Sequence, residues 1–233
     1  MAISPQFGGG GTRKMTAIIG IIVMVLVLAA GAILYATLRE TTPGDDSAEA
    51  GFLRDMQVHH DQAVVMADTI RFRTDDDQIY AMATDIAFSQ TSQIGSMKGF
   101  LDLWNLNPTG KDPAMAWMGH PTTGLMPGMA TPEQVEQLSS LPVEEAEVLF
   151  MQLMNRHHFA GIEMAEAIIE RSDQEDVVEL AESMVRTQSA EVEIMNQMLV
   201  EREAEPVTSS GAEIDIPGAG TPVATPTGED HQH

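Results

Sequence analysis

Phe52-Leu53-Arg54-Asp55-Met56-Gln57-Val58-His59-His60-Asp61-Gln62-Ala63-Val64-Val65-Met66-Ala67 returns later in the chain as Phe150-Met151-Gln152-Leu153-Met154-Asn155-Arg156-His157-His158-Phe159-Ala160-Gly161-Ile162-Glu163-Met164-Ala165. The offset is 98 residues and runs on without a gap, pairing Ala83 with Ala181, Gln90 with Gln188, Met97 with Met195 and Leu101 with Leu199. Across 52–101 and 150–199, 13 of 50 positions are identical. A constant offset of this kind means that one supersecondary unit is used twice.

At about 100° per residue, Met56, His59, His60, Ala63, Met66, Ala67 and Ile70 share one helical sector about 120° wide. The second copy offers Met154, His157, His158, Gly161, Met164, Ala165 and Ile168 in the same way. The histidines therefore belong to the core face. Ala63 and Gly161 are small enough to let the two helices come close. Four imidazoles and four thioethers are expected to meet in the middle of the domain.

Buried imidazoles need partners, and four charged ones would repel each other. Metal binding answers both requirements, because neutral imidazole is a good ligand. The alternative is purely structural: the rings bond to Gln90, Gln188 and water. If a metal binds, its class follows from the flanking residues. Di-iron and di-manganese bundles place Glu three residues before His. Here those places hold Met56 and Met154, or Gln57 and Asn155. Thioether with imidazole favours a soft ion, Cu(I) first and Ag(I) with it. Zinc prefers Cys, His or carboxylate.

The charge of the chain is sharply divided. All 35 Asp and Glu lie at or after Glu40, and only Arg13, Lys14 and Arg39 are charged before it. So acidic a domain repels nucleic acid, which argues against DNA or RNA as a partner. Residues 15–38 carry no charge and exceed the roughly 20 residues needed to span a bilayer. They predict a transmembrane anchor, with residues 1–14 cytoplasmic and the main domain outside, following the positive-inside rule. A cleaved signal peptide is the competing reading, but signal cores run only about 7–15 residues. The chain has no Cys, hence neither a disulfide nor a lipoprotein-type lipidation site.

Taken in order, Asp46 with Glu49 suggests a capping box opening the first long helix, which runs to about Phe72. Thr74-Asp75-Asp76-Asp77 reads as a turn and the cap of a second helix ending near Leu103 or Trp104. Residues 105–130 form a long Met-rich loop, and loops of that length inside a compact domain are usually functional or disordered. Its Met115, Met118 and His120, and its Met126 and Met129, offer extra soft-metal ligands or a lid. As flexible filler they would instead pack on Trp104 and Trp117. Thr131-Pro132-Glu133-Gln134 starts a short helix. Pro142 opens the third long helix, and Ser172-Asp173 turns into the fourth, ending near Glu203. Met82, Met184, Met195 and Met198 read as core. The segment 204–233 is too rich in Pro, Gly, Thr and Ala to fold, and its His231 and His233 are a weak metal signal. Two hairpins, each unable to cover its apolar face alone, should pack as a four-helix bundle over residues 45–203.

The doubled Met-x-x-His-His-x-x-Ala-x-x-Met-Ala pattern, with Met126-Pro127-Gly128-Met129 between its copies, resembles the bacterial family called domain of unknown function 305. The resemblance covers about residues 47–203; Gly161 stands where the pattern has Ala. It implies an all-α, ferritin-like four-helix bundle, often secreted or membrane-anchored, with copper bound by some members. Carried over, it marks His59, His60, His157, His158, Met56, Met66, Met154 and Met164 as the ligand set.

The sequence thus leads to a membrane-anchored, extracytoplasmic copper protein for resistance, storage or delivery. With no Ser-His-Asp set, Cys nucleophile or phosphate loop, no turnover is expected. Two rivals stand beside it: a non-catalytic accessory subunit of an envelope membrane complex, and a ferritin-like metal-dependent oxidoreductase.

Overall fold

The computed structural model describes residues 10–38 and 42–214. Residues 1–9, 39–41 and 215–233 lie outside it, and with them most of the expected cytoplasmic segment and the tail histidines His231 and His233. The helices are α1 (Gly10–Leu38), α2 (Ala48–Arg71), α3 (Asp77–Leu103), α4 (Pro132–Ser140), α5 (Val143–Ile169) and α6 (Glu175–Glu201). A single 3-10 turn, Ala116–Met118, interrupts the connection after α3. Among the described residues there is no strand, only an isolated bridge between Ala114 and Thr122.

Residues 1–42 and 43–233 form separate units. In the first, the side chains of 18–33 are all exposed, Leu28 at 64% for example. Among the described residues, no helix is long and apolar enough to cross a membrane.

In the second unit the caps follow the local chemistry, with one correction. Ser47, not Asp46, caps α2, its hydroxyl accepting from the Ala50 amide at 3.1 Å. Glu49 does not close a capping box; it accepts a bond from the Ser172 hydroxyl at the start of the second hairpin's turn. Asp76 caps α3 through the Gln78 and Ile79 amides. Thr131 and Gln134 form a complete capping box on α4.

The four long helices make two antiparallel hairpins, α2–α3 and α5–α6, joined mainly through α2 and α5. Two apolar clusters reveal how those two helices run. Met66 and Ile70 of α2 share one cluster with Phe150 and Met154 of α5. Phe52 and Met56 share the other with Met164 and Ile168. Low numbers on one helix meet high numbers on the other, so α2 and α5 are antiparallel, with the histidines between the clusters. Met184, Met195 and Met198 are buried core residues and Met82 is half-buried, in keeping with the sequence.

The segment after α6 departs from expectation. Residues 204–214 return to the helices rather than leaving them. Val207 is buried, and it holds Asn196 through two bonds, amide to Oδ1 at 2.9 Å and Nδ2 to carbonyl at 2.8 Å. Ala204 and Ile214 pack on the first cluster. A few well-spaced apolar residues and one asparagine suffice to hold a segment whose composition alone reads as unfolded.

Candidate metal centre

All four motif histidines are fully buried, 0% exposed. His59 of α2 and His157 of α5 stack with ring centroids 3.7 Å apart and planes 27° from parallel. The stack lies where the two hairpins cross. Around it the repeat is nearly obeyed. His60 Nε2 lies 2.7 Å from Gln93 Oε1 on α3, and His158 Nε2 lies 2.6 Å from Glu191 Oε2 on α6. Gln93 and Glu191 are themselves 98 residues apart. The inner pair differs: His157 Nε2 donates to the His59 carbonyl at 2.8 Å, whereas His59 Nε2 donates to the Pro127 carbonyl at 3.3 Å.

These partners determine the tautomers. A carbonyl or carboxylate oxygen only accepts, so each Nε2 carries the proton. The lone pair then rests on Nδ1. All four Nδ1 atoms are buried without a hydrogen-bond partner in the protein. Gln90 and Gln188, also buried, leave both atoms of their amides unpaired. Orphaned buried polar atoms cost about 1–3 kcal/mol each, so a cluster of them calls for an occupant.

Burial also keeps three of the rings neutral. It drives the His59 pKa down to about 4, against the bond that His59 donates to the Pro127 carbonyl. It drives His60 down to about 3, assisted by the neighbouring His59. His157 falls well below its ordinary value for the same reason, with His59, His158 and His60 adding repulsion. Neutral rings with free Nδ1 lone pairs, each held from behind at Nε2, are what metal-binding histidines require.

The thioethers do not all converge on one point. Met66 and Met154 belong to the cluster on one side of the histidine layer, and Met56 and Met164 to the cluster on the other. All four are buried. Among the described residues no three His, Asp or Glu side chains stand together as a ready-made metal group. This includes the four motif histidines.

The loop divides in two. The Met126-Pro127-Gly128-Met129 turn is brought onto the layer by main chain: Pro127 accepts from His59, and Gly128 lies against Ala160 and His157 of α5. Met126 is buried and Met129 half-buried, both against the second cluster. Arg156 clamps this turn through the carbonyls of Gly128 and Met129 and the side chain of Gln134. The other half goes elsewhere. Asp55 accepts from the Met115 amide at 2.7 Å and Trp117 Nε1 at 2.9 Å, and burial raises its pKa against those bonds. Met115 is buried in the second cluster and His120 is exposed.

Residues 49–199 match the family described as domain of unknown function (DUF305). A structure from Streptomyces coelicolor named "putative secreted protein DUF305" is 44% identical, covering 71% of this chain and 99% of its own, with a TM-score of 0.67. A DUF305 fragment from Deinococcus radiodurans is 31% identical, covering 68% and 99%, with a TM-score of 0.59. The chain belongs to the DUF305 family. CopM, solved in a Cu(I)-bound form, is 21% identical, covers 67% of this chain and 97% of its own, and shares the fold at a TM-score of 0.50. No curated protein matches the chain.

In this DUF305 chain one sequence expectation needs correction. Gln90 and Gln188 do not bond to the rings; Gln93 and Glu191, one helical turn further on, do. The nearest neighbour of Gly161 lies on α6. A Cβ there would lie 2.4 Å from Gln188 Oε1 of α6, so the glycine makes room within its own hairpin. In the sequence, Gln93 and Glu191 are linked only by the same offset of 98.

Proposed function

We propose that this chain is a membrane-anchored, extracytoplasmic copper-binding protein that holds Cu(I), and Ag(I) in its place, for resistance, storage or delivery. It has no turnover of its own. The observation that carries the reading is the set of four buried Nδ1 atoms without a hydrogen-bond partner, flanked above and below by buried methionines. Imidazole and thioether together suit a soft monovalent ion. His59, His60, His157 and His158 are the primary ligands, Met56, Met66, Met154 and Met164 the sulfur donors, and Met126 and Met129 a covering turn. We read the helices as a ferritin-like four-helix bundle, the likeness to Cu(I)-bound CopM supporting the fold. The run 15–38 is uncharged and helical, and the exposure of the side chains at 18–33 supports the anchor. The name of the Streptomyces relative supports export.

The test is a competitive Cu(I) titration of the full chain against a colorimetric chelator. It runs beside a variant with His59, His60, His157 and His158 all changed to Ala, checked for helicity. Tight binding that disappears in the variant is expected. Equal binding by both proteins would move the site to the Met-rich loop, and binding by neither would end the copper reading.

One observation favours the accessory-subunit reading as a second choice. Phe72 and Phe88 are 77% and 65% exposed, with Arg71 over both rings at 4.7 and 5.6 Å. A stoichiometric envelope partner retained in mild detergent, with no metal, would bring that reading forward.

A further inference from the structure

We infer that each hairpin holds a buried water molecule on a glutamine amide, Gln90 in the first and Gln188 in the second, one helical turn from the histidine layer. The two side chains are 1% and 2% exposed, and in both the amide nitrogen and the amide oxygen lack a hydrogen-bond partner in the protein. The residues are 98 apart, so the repeat carries an unpaired amide at the same place twice. Buried polar groups in folded proteins are satisfied by protein or by ordered water. Protein supplies nothing here.

Hairpin register locates the two amides. In an antiparallel pair, one turn forward on the first helix meets one turn back on the second. His60 bonds to Gln93, so Gln90 faces Ala63; His158 bonds to Glu191, so Gln188 faces Gly161. The second of these is seen directly, because a Cβ on Gly161 would lie 2.4 Å from Gln188 Oε1. One turn is about 5.4 Å of helix. That exceeds the roughly 2.9 Å of a direct hydrogen bond and is close to two such bonds in series through one molecule. The unpaired atoms across that gap are the ring Nδ1 atoms.

The copper reading leaves the need of the glutamines unmet. A soft cation takes imidazole and thioether, not a hard amide oxygen, and it repels an amide N–H. No Lys or Arg bonds to either glutamine, so nothing beside them would balance an anion. A neutral molecule that both donates and accepts satisfies an amide, and water does so in the least volume. Water can donate to Nδ1 or accept from it. The assignment therefore does not depend on which ring nitrogen holds a proton. It concerns the metal-free protein and is independent of the Cu(I) reading.

The experiment uses the metal-free full chain in detergent, isotopically labelled at the glutamine side-chain nitrogens. Nuclear Overhauser cross-peaks between the side-chain amide protons and water are recorded, with the melting temperature beside them. Gln90→Met and Gln188→Met keep the length of the side chain and remove its hydrogen-bonding groups. Long-lived water cross-peaks are expected from both glutamines, each lost in its own variant only. The melting temperature should fall by about 2–4 °C in each variant, because the water loses a partner and the rings lose the water. Cross-peaks missing from the wild-type glutamines would overturn the inference. So would a higher melting temperature in the variants, since removing a dry, unpaired amide from a core stabilises it. Where a variant does not fold, the wild-type cross-peaks, assigned through the backbone, still decide. No metal is present in these samples, so either result leaves the Cu(I) titration to judge the copper reading by itself.

Discussion

The two hairpins have the same inner face and opposite outer faces. Inside, His59-His60 and His157-His158 occupy equivalent places and are equally buried. Outside, the first hairpin exposes Val58, Val65, Phe72, Phe88 and Leu103, at 51% or more each. At the matching positions the second hairpin carries Arg156, Glu163, Glu170, Arg186 and Glu201. The inner face is constrained by the histidine layer, which both copies must build. Nothing imposes that constraint outside, and there the copies have drifted apart.

The connection between the hairpins explains part of the difference. It exists once, so the symmetry must break where it lands. On the first hairpin it lands on Asp55 and Gly51. A Cβ at Gly51 would lie 2.7 Å from Trp117, and Asp55 accepts a hydrogen bond from that indole N–H. On the second it lands on Arg156, which grips the Gly128 and Met129 carbonyls. Leu153, the twin of Asp55, and Val58, the twin of Arg156, have no loop to hold and need no polar group.

Acid breaks the inner face most severely. Below pH 6.5 the unfolded chain protonates imidazoles that folded His59 keeps neutral to about 4 and folded His60 to about 3. The unfolded state then binds more protons, so stability falls as pH drops through that window. For His59 alone the loss amounts to roughly 3 kcal/mol between pH 6.5 and 4. Urea denaturation at pH 7.5 and 4.5 should register it, and His60→Gln should make the drop shallower. A pH-independent midpoint would mean that the rings are not buried neutral.

The glycine contrast is smaller. Gly128 has φ +75°, and a Cβ there would lie 2.6 Å from Ala160 Cβ and 2.7 Å from the Arg156 carbonyl. Gly128→Ala is expected to cost about 1–3 kcal/mol, through backbone strain and a displaced turn. Gly161→Ala meets only the flexible end of Gln188 and gains helix propensity of about 1 kcal/mol. Its net effect should stay within about 1 kcal/mol of zero by the same scale. Chemical denaturation of the two variants side by side checks the order.

Least of all should come from the outer face. Changing Val65 and Phe72 to Glu, and Phe88 to Arg, copies the second hairpin's surface onto the first. Folding stability should move by about 0.5 kcal/mol or less per site. Any self-association or partner binding should fall instead, as light scattering or co-purification would register. A large loss of stability would mean that the apolar face is covered within the folded chain.

Much of this was legible in the sequence, because helix periodicity and caps are local. The offset of 98 identified two hairpins, and a rotation of about 100° per residue put each His-His on the inner face. The breaker runs at 74–77 and 105–110 marked where helices stop. The flanking Met56 and Met154 are the sequence basis for proposing a soft ion. Only the tertiary structure could decide which atoms the rings meet. Periodicity places a residue around a helix but says nothing of the axial shift between helices, and a shift of one turn exchanges Gln90 for Gln93 and Gln188 for Glu191. The antiparallel crossing of α2 and α5 is likewise non-local; it stacks His59 on His157 and sends the methionines two to each side. The same holds for Pro127 and Val207, whose contacts join segments far apart in the chain and leave no periodic signal within it.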